Sequence, residues 1–342
     1  MTKRWSLLKG GKIREFESLS QVNKALKNWS PFTPILIAKP NSNKFLPPTC
    51  FNELASTVVV NYKARVCICI LMTLVTTLML FLGMLIYGSP MFINGTVLFS
   101  LITIAALSDY LISFKSLLTM GERTKFFYWV FNSKLMKKIT IAWLLSIAAL
   151  AFFQLFFEFY LVGREPLFKF MGTVHIQVLS GEIWRLVTGP FLHSSPTHFI
   201  LNAIFLMVIG PLAWCLFSYR SALILIFGSG LGALVSTLLG TYTEDYPYDS
   251  YAGISPGVFA LFGVVSMLGL IRKNILPQGV ALHLGFVAII SIVAASVYTN
   301  NSANASHWAG FIFGIILSPL LNYKKIILTE VNVLNFNCLE EI

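Results

Sequence analysis

The stretch Tyr251-Ala-Gly-Ile-Ser-Pro-Gly-Val-Phe-Ala-Leu-Phe-Gly-Val-Val-Ser-Met-Leu-Gly-Leu-Ile-Arg272 passes from a small-residue turn into an uncharged apolar run that stops at a basic residue. That is the pattern of a helix in hydrocarbon ending at an inner membrane face. The rest of the chain is of the same kind. With 56% hydrophobic residues, 11% charged and a mean hydropathy of +0.75, it lies far outside the range of a soluble globular domain. Windows of about 20 uncharged residues, enough to cross roughly 30 Å of hydrocarbon, fall near 66–87, 96–114, 139–162, 197–218, 221–241, 253–271, 278–298 and 305–322. The expected fold is an all-α polytopic membrane protein. Its expected parts are a cytoplasmic N-terminal region (1–65), two transmembrane helices with a basic cytoplasmic loop (66–138), a six-helix core (139–322) and a cytoplasmic tail (323–342).

Charge sets the orientation, because basic loops stay on the cytoplasmic side. The first 65 residues carry eleven Lys and Arg against three acids, and Lys115, Arg123, Lys125, Lys134, Lys137 and Lys138 crowd the loop after the second span. Arg220, Arg272 with Lys273, and Lys324 with Lys325 mark further inner ends, whereas Glu244, Asp245, Asp249 and the segment from Asn300 to Ser306 read as outer. Both termini are therefore expected inside. The net charge of +11 is accounted for by this bias, with lipid headgroups as its counterpart and no nucleic acid. The five cysteines imply no disulfide framework, and the polar basic start gives no expectation of a cleavable signal peptide.

Ser255 opens one apolar helix and Ser306-His307 opens another. Ser255 stands 17 residues before Arg272, His307 stands 17 before Lys324, and Asn202 stands 18 before Arg220. At 1.5 Å per residue, all three lie about 25 Å above the inner charged boundary. His198 is one turn above Asn202 on the same helix face. Polar groups are costly at such depth and default to a functional reading. Acyl transfer needs a hydroxyl, a base with a pKa near neutrality and donors for the developing oxyanion. Ser255 and His307 supply the first two; His198, Asn202 and the Ser255 N–H supply the donors. Pro256 makes Ser255 a natural helix N-cap.

Small residues recur every fourth position at Gly228, Gly232, Ser236 and Gly240, and again at Gly310 and Gly314, a spacing that lets helix backbones approach closely. Asp109 reads as a polar contact between helices, His283 as packing or pore-facing, and His175 as a loop residue.

Trp184-Arg185, His193 through His198 to Asn202, Gly253-Ile254-Ser255 and His307-Trp-Ala-Gly310 with Gly314 together resemble the rhomboid family of intramembrane serine proteases, over about 180 of the 342 residues. The resemblance implies a rhomboid-like core in which Ser255 is the nucleophile and His307 the general base of a dyad without a third acid. His198, Asn202 and the Ser255 amide are implied as the oxyanion hole. Trp184 and Arg185 would belong to a structured outer loop, with His193 near the site. Pro256 stands where the family usually has glycine, and Phe259 where it usually has tyrosine. The implied substrates are transmembrane proteins cut within or beside their spans, in a bilayer that is expected to be a bacterial inner membrane. No cofactor is required.

Other classes remain. His193, His198 and His307 have neither helical zinc spacing nor a completing carboxylate or thiolate, so no metal is expected. A transporter would show inverted repeats and acids in the core spans. An inactive rhomboid-like binder would typically lack the serine or the histidine. Nothing in the sequence sets an oligomeric state.

Overall fold

The computed structural model describes residues 4–161, 163–242, 250–272, 275–296 and 301–324. The acids expected on the outer side, Glu244, Asp245 and Asp249, together with Lys273, Asn300 and the tail from Lys325, lie outside the described residues. Two compact units are present, one formed chiefly by Met1–Lys137 with Arg272–Phe286, the other by Lys138–Ile271 with Val287–Lys324.

The first unit begins with a folded sheet. Strands β1 (Trp5–Lys9) and β2 (Lys12–Phe16) form a hairpin across Gly10 and Gly11, whose φ angles of +56° and +76° suit a two-residue turn and favour glycine. Helix α1 (Leu19–Ala25) is capped by the Ser18 side chain, which accepts from the Gln21 N–H. The apolar run at β3 (Ile35–Ala38) pairs antiparallel with β1, giving the order β2-β1-β3. Val22, Leu26, Trp29, Ile35 and Ile37 pack with Leu54, Val58 and Tyr62 from the start of α2 (Asn52–Tyr87). That helix thus begins well before residue 66, because its first turns complete the sheet's core. Its 36 residues extend about 54 Å, more than a bilayer's hydrocarbon requires.

Gly88, at φ +61°, ends α2, and α3 (Pro90–Ser113) returns against it. The two helices touch closely: a Cβ at Gly83 would meet the Phe92 ring at 2.5 Å. The basic segment expected as a loop over 115–138 instead contains α4 (Leu117–Asn132), capped by Ser116. The reason is Arg123, fully buried on α4, which donates to Asp109 Oδ1 (2.6 Å), Ser113 Oγ (2.6 Å) and the Gln278 carbonyl (2.8 Å). Tyr62 donates to the same carboxylate, and His283 Nε2 lies 3.2 Å from it. Asp109 is therefore the interhelical polar contact expected, with a buried cation as its partner.

The second unit takes up α5 (Lys134–Phe156), which continues as a π-helical segment, Phe157–Leu161. Short elements follow: α6 (Arg164–Met171), β4 (Thr173–Val174), α7 (His175–Leu179) and α8 (Arg185–Thr188). His175 sits buried on α7, hydrogen-bonded to Thr237, rather than in a loop. Then come α9 (Pro196–Phe217), α10 (Arg220–Tyr242), β5 (Ser250–Tyr251), α11 (Ser255–Ile271), α12 (Val280–Ala295) and α13 (Asn301–Leu317). Each of the eight expected spans coincides with a helix. Among the described residues, five helices are long and apolar enough to cross a membrane. The remaining three, α11, α12 and α13, have 17, 16 and 17 residues. For α11 the shortness has a clear basis. It is buried along most of its length, and non-helical backbone at membrane depth is tolerated where protein encloses it.

Glycines mesh α10, α11 and α13 backbone to backbone. A Cβ at Gly310 would lie 2.0 Å from the Pro256 carbonyl oxygen, one at Gly314 2.1 Å from that of Ala260, and one at Gly232 2.4 Å from the Pro256 ring. Two expectations about helix starts are corrected. The Ile254 carbonyl accepts from the Val258 N–H, so Ser255 lies inside the first turn of α11 and does not cap it. His307 lies nearly two turns into α13, which begins at Asn301. Cys67 and Cys69 are exposed free thiols, and Cys215 is buried.

Candidate active site

Ser255 Oγ lies 2.8 Å from His307 Nε2, and both residues are buried, at 7% exposure each. The close approach follows from the packing just described, since Gly310 seats α13 directly on the Pro256 carbonyl, one residue beyond the serine and one turn beyond the histidine. With Nε2 facing the hydroxyl as acceptor, the imidazole proton belongs on Nδ1, which is buried without a hydrogen-bond partner. No carboxylate orients this ring among the described residues. Phe259 does so by contact instead, with its ring centroid 5.2 Å from that of His307.

Gly253, two residues before Ser255, brings the second group of polar residues to the same place. Its φ is +117°, and a Cβ there would stand 2.5 Å from His198 Cε1, 2.7 Å from His198 Nε2 and 3.6 Å from Asn202 Nδ2. Both the backbone conformation and the space demand glycine. Ser194 Oγ lies 3.2 Å from His198 Nδ1; with the hydroxyl donating there, Nε2 carries the proton and faces Gly253 as a donor. Asn202 Nδ2 is buried with no partner, a donor aimed at an acceptor that the free protein does not supply. The Ser255 N–H belongs to the first turn of α11, where backbone donors have no intrahelical acceptor. Three donors and a serine–histidine pair thus converge, which is what acyl transfer through a tetrahedral oxyanion demands.

Residues 180–324 match the family model described as Rhomboid domain. The match spans 145 of the 342 residues and likens that part of the chain to rhomboid proteins. Among curated relatives, "Putative rhomboid protease YdcA" of Bacillus subtilis (strain 168) is 27% identical over 152 residues, covering 44% of this chain and 73% of that protein. "Rhomboid protease GlpG" of Salmonella choleraesuis (strain SC-B67) is 27% identical over 196 residues, covering 54% of this chain and 65% of GlpG. Kinship with proteins of these names supports a serine-type intramembrane endopeptidase.

Within the matched region and the segment just before it, Trp184 and Arg185 form a scaffold and do not touch the Ser255–His307 pair. Arg185 is buried, donates to Glu182 Oε2 (2.7 Å) and to the Gly172 and Lys169 carbonyls (2.9 and 3.0 Å), and stacks on Trp184 at 4.6 Å. Thr173 donates to the Arg185 carbonyl, and Gly189 leaves room for that threonine. This scaffold presents β4, which pairs antiparallel with β5 through Thr173↔Tyr251 and so fixes the approach to Gly253. His193 stacks edge-on against His198 (5.4 Å) and Phe199 (5.0 Å). Burial, with a lesser contribution from His198, lowers its pKa to about 4, so it is neutral at physiological pH. Its backbone is clamped at both ends by Gln154, which donates to the His193 carbonyl (2.8 Å) and accepts from its N–H (2.9 Å).

Gln154, Glu182, Thr173 and Tyr251 were missed by sequence reasoning. Gln154 had a signal, since it forms an i, i+4 polar pair with Glu158 in an otherwise apolar span. Thr173, Glu182 and Tyr251 sit in or between elements too short to have a periodicity to read.

Proposed function

We propose that the protein is an intramembrane serine endopeptidase that hydrolyses peptide bonds in or next to the transmembrane segments of other membrane proteins. The observation that carries this is the 2.8 Å approach of Ser255 Oγ to His307 Nε2, close to the buried and unpartnered Asn202 Nδ2. Ser255 Oγ attacks the scissile carbonyl carbon as its proton passes to His307 Nε2. His198 Nε2, Asn202 Nδ2 and the Ser255 N–H hold the oxyanion. Pro256 lacks an N–H, but the Ser255 amide is retained, so that donor set is complete without it. His307 then gives its proton to the departing amine, leaving an acyl-serine, and a water deprotonated by the same imidazole releases the acid product. Burying these donors away from bulk water strengthens each hydrogen bond they make.

A helical substrate hides its carbonyls in its own hydrogen bonds, so a locally unwound segment presents the cleaved bond. The basic N-terminal region and the inner ends of the helices favour cytoplasmic termini, which puts the dyad nearer the outer face. The bacterial origin of the named relatives favours a bacterial inner membrane. The test is reconstitution in proteoliposomes with a quenched fluorescent transmembrane substrate. Wild type should cleave, and Ser255→Ala should not; equal cleavage by both would overturn the proposal. A folded wild type that binds the substrate without cutting it would favour an inactive rhomboid-like binder.

A further inference from the structure

Gly253 poses a problem of support. At φ +117° it has no side chain to steady it, its α-carbon faces His198 and Asn202, and the orientation of its peptide decides where Ser255 begins. A buried carbonyl in such a turn needs a fixed partner. The Tyr251 hydroxyl supplies one, donating to the Gly253 carbonyl at 3.2 Å. Tyr251 is itself buried (7% exposed) and held by the β4 pairing. Burial pushes its phenol pKa above the ordinary value, so the hydroxyl stays protonated and able to donate.

Ser306 Oγ lies 3.4 Å from the same hydroxyl and donates its own proton to the Ala303 carbonyl at 2.6 Å. Ser306 is fully buried and immediately precedes His307. One phenol therefore touches both the turn that presents the serine and the helix that presents the histidine. Phe259 packs on the His307 ring but brings no hydroxyl, so the polar contact between the two elements besides the Ser255–His307 bond comes from Tyr251.

We propose that Tyr251 is a positioning residue: its hydroxyl locks the Gly253 peptide and sets the 251–255 turn in register with the helix that carries His307. The proposal rests on the reading of Ser255 as nucleophile. Its test uses the full chain in proteoliposomes with Tyr251→Phe, measuring kcat and KM on a transmembrane substrate, the rate of Ser255 labelling by a fluorophosphonate, and the thermal unfolding midpoint. Loss of a neutral buried hydrogen bond that sets geometry should lower kcat and the labelling rate about fivefold to tenfold. KM should stay within about twofold, and the unfolding midpoint should stay close to that of wild type. Ser306→Ala should lower the labelling rate in the same direction, and the double variant should be no slower than the slower single one. Should Tyr251→Phe misfold, Ser306→Ala carries the test. Wild-type kcat and labelling in a folded Tyr251→Phe protein would overturn the proposal, as would a fall confined to the unfolding midpoint. If wild type itself neither labels nor cleaves, the reading of Ser255 fails first; if wild type labels and Tyr251→Phe labels equally, only the role of Tyr251 fails.

Discussion

Gly310→Ala adds one methyl group where the helix carrying His307 meets the helix carrying Ser255. That Cβ would stand 2.0 Å from the Pro256 carbonyl oxygen, and real Cβ atoms essentially never approach closer than 3.0 Å. The obstacle is backbone, so no side chain can rotate away, and the two helices must part by about 1 Å. His307 lies three residues before Gly310, on the adjacent turn. Transmitted along the contact, the movement opens Ser255 Oγ to His307 Nε2 from 2.8 Å to nearly 4 Å, beyond hydrogen-bond reach. A displacement of this size in a reacting pair costs on the order of 10²-fold in rate, or about 2.7 kcal/mol of activation free energy. The assay is kcat on a transmembrane substrate in proteoliposomes, with the unfolding midpoint measured on the same preparation. A folded Gly310→Ala protein with kcat within threefold of wild type would refute the argument that glycine packing sets the dyad distance.

Asn202→Ala should lower kcat about 10²-fold, the usual loss for one oxyanion donor. Its unfolding midpoint should hardly change, since Nδ2 has no partner in the free protein to lose. Arg123→Met should destabilise the fold by about 3–5 kcal/mol by leaving the Asp109 carboxylate buried without its guanidinium partner; Asp109→Asn in the same chain should restore part of that loss in thermal or denaturant unfolding. Because His193 is held neutral down to a pKa of about 4 when folded and titrates near 6.5 when unfolded, the unfolded chain binds the extra proton between those values. Stability should therefore fall as pH drops from about 6.5 to about 4. His193→Asn should flatten that slope in a pH series of unfolding midpoints.

The residues that met at the site were legible because membrane depth turns sequence distance into height. Ser255, His307 and Asn202 share a level by counting from Arg272, Lys324 and Arg220, and the structure brings all three to one place. The glycine stripe at Gly310 and Gly314 was legible for a related reason, since fourfold spacing marks one helix face. Helix starts were less so. Ser255 looked like a cap because serine before proline usually is one, but its hydroxyl is engaged by His307 on another helix, a tertiary fact that local propensity does not contain. The helix at Leu117–Asn132 was hidden by its charges: Lys and Arg read as loop, and only the partner 14 residues earlier, Asp109, explains why Arg123 can be buried there. Tyr251 and Gln154 act through backbone atoms of Gly253 and His193, and a sequence carries no mark of which carbonyl needs a partner.

The central claim is that Ser255 is a nucleophile activated by His307. Its most direct measurement is mass-spectrometric mapping of the fluorophosphonate adduct on wild type and His307→Ala in bilayers. The account predicts a single adduct on Ser255 in wild type, with the rate of its formation reduced at least 10²-fold in His307→Ala. An adduct on another residue, or equal labelling of Ser255 with and without His307, would contradict it.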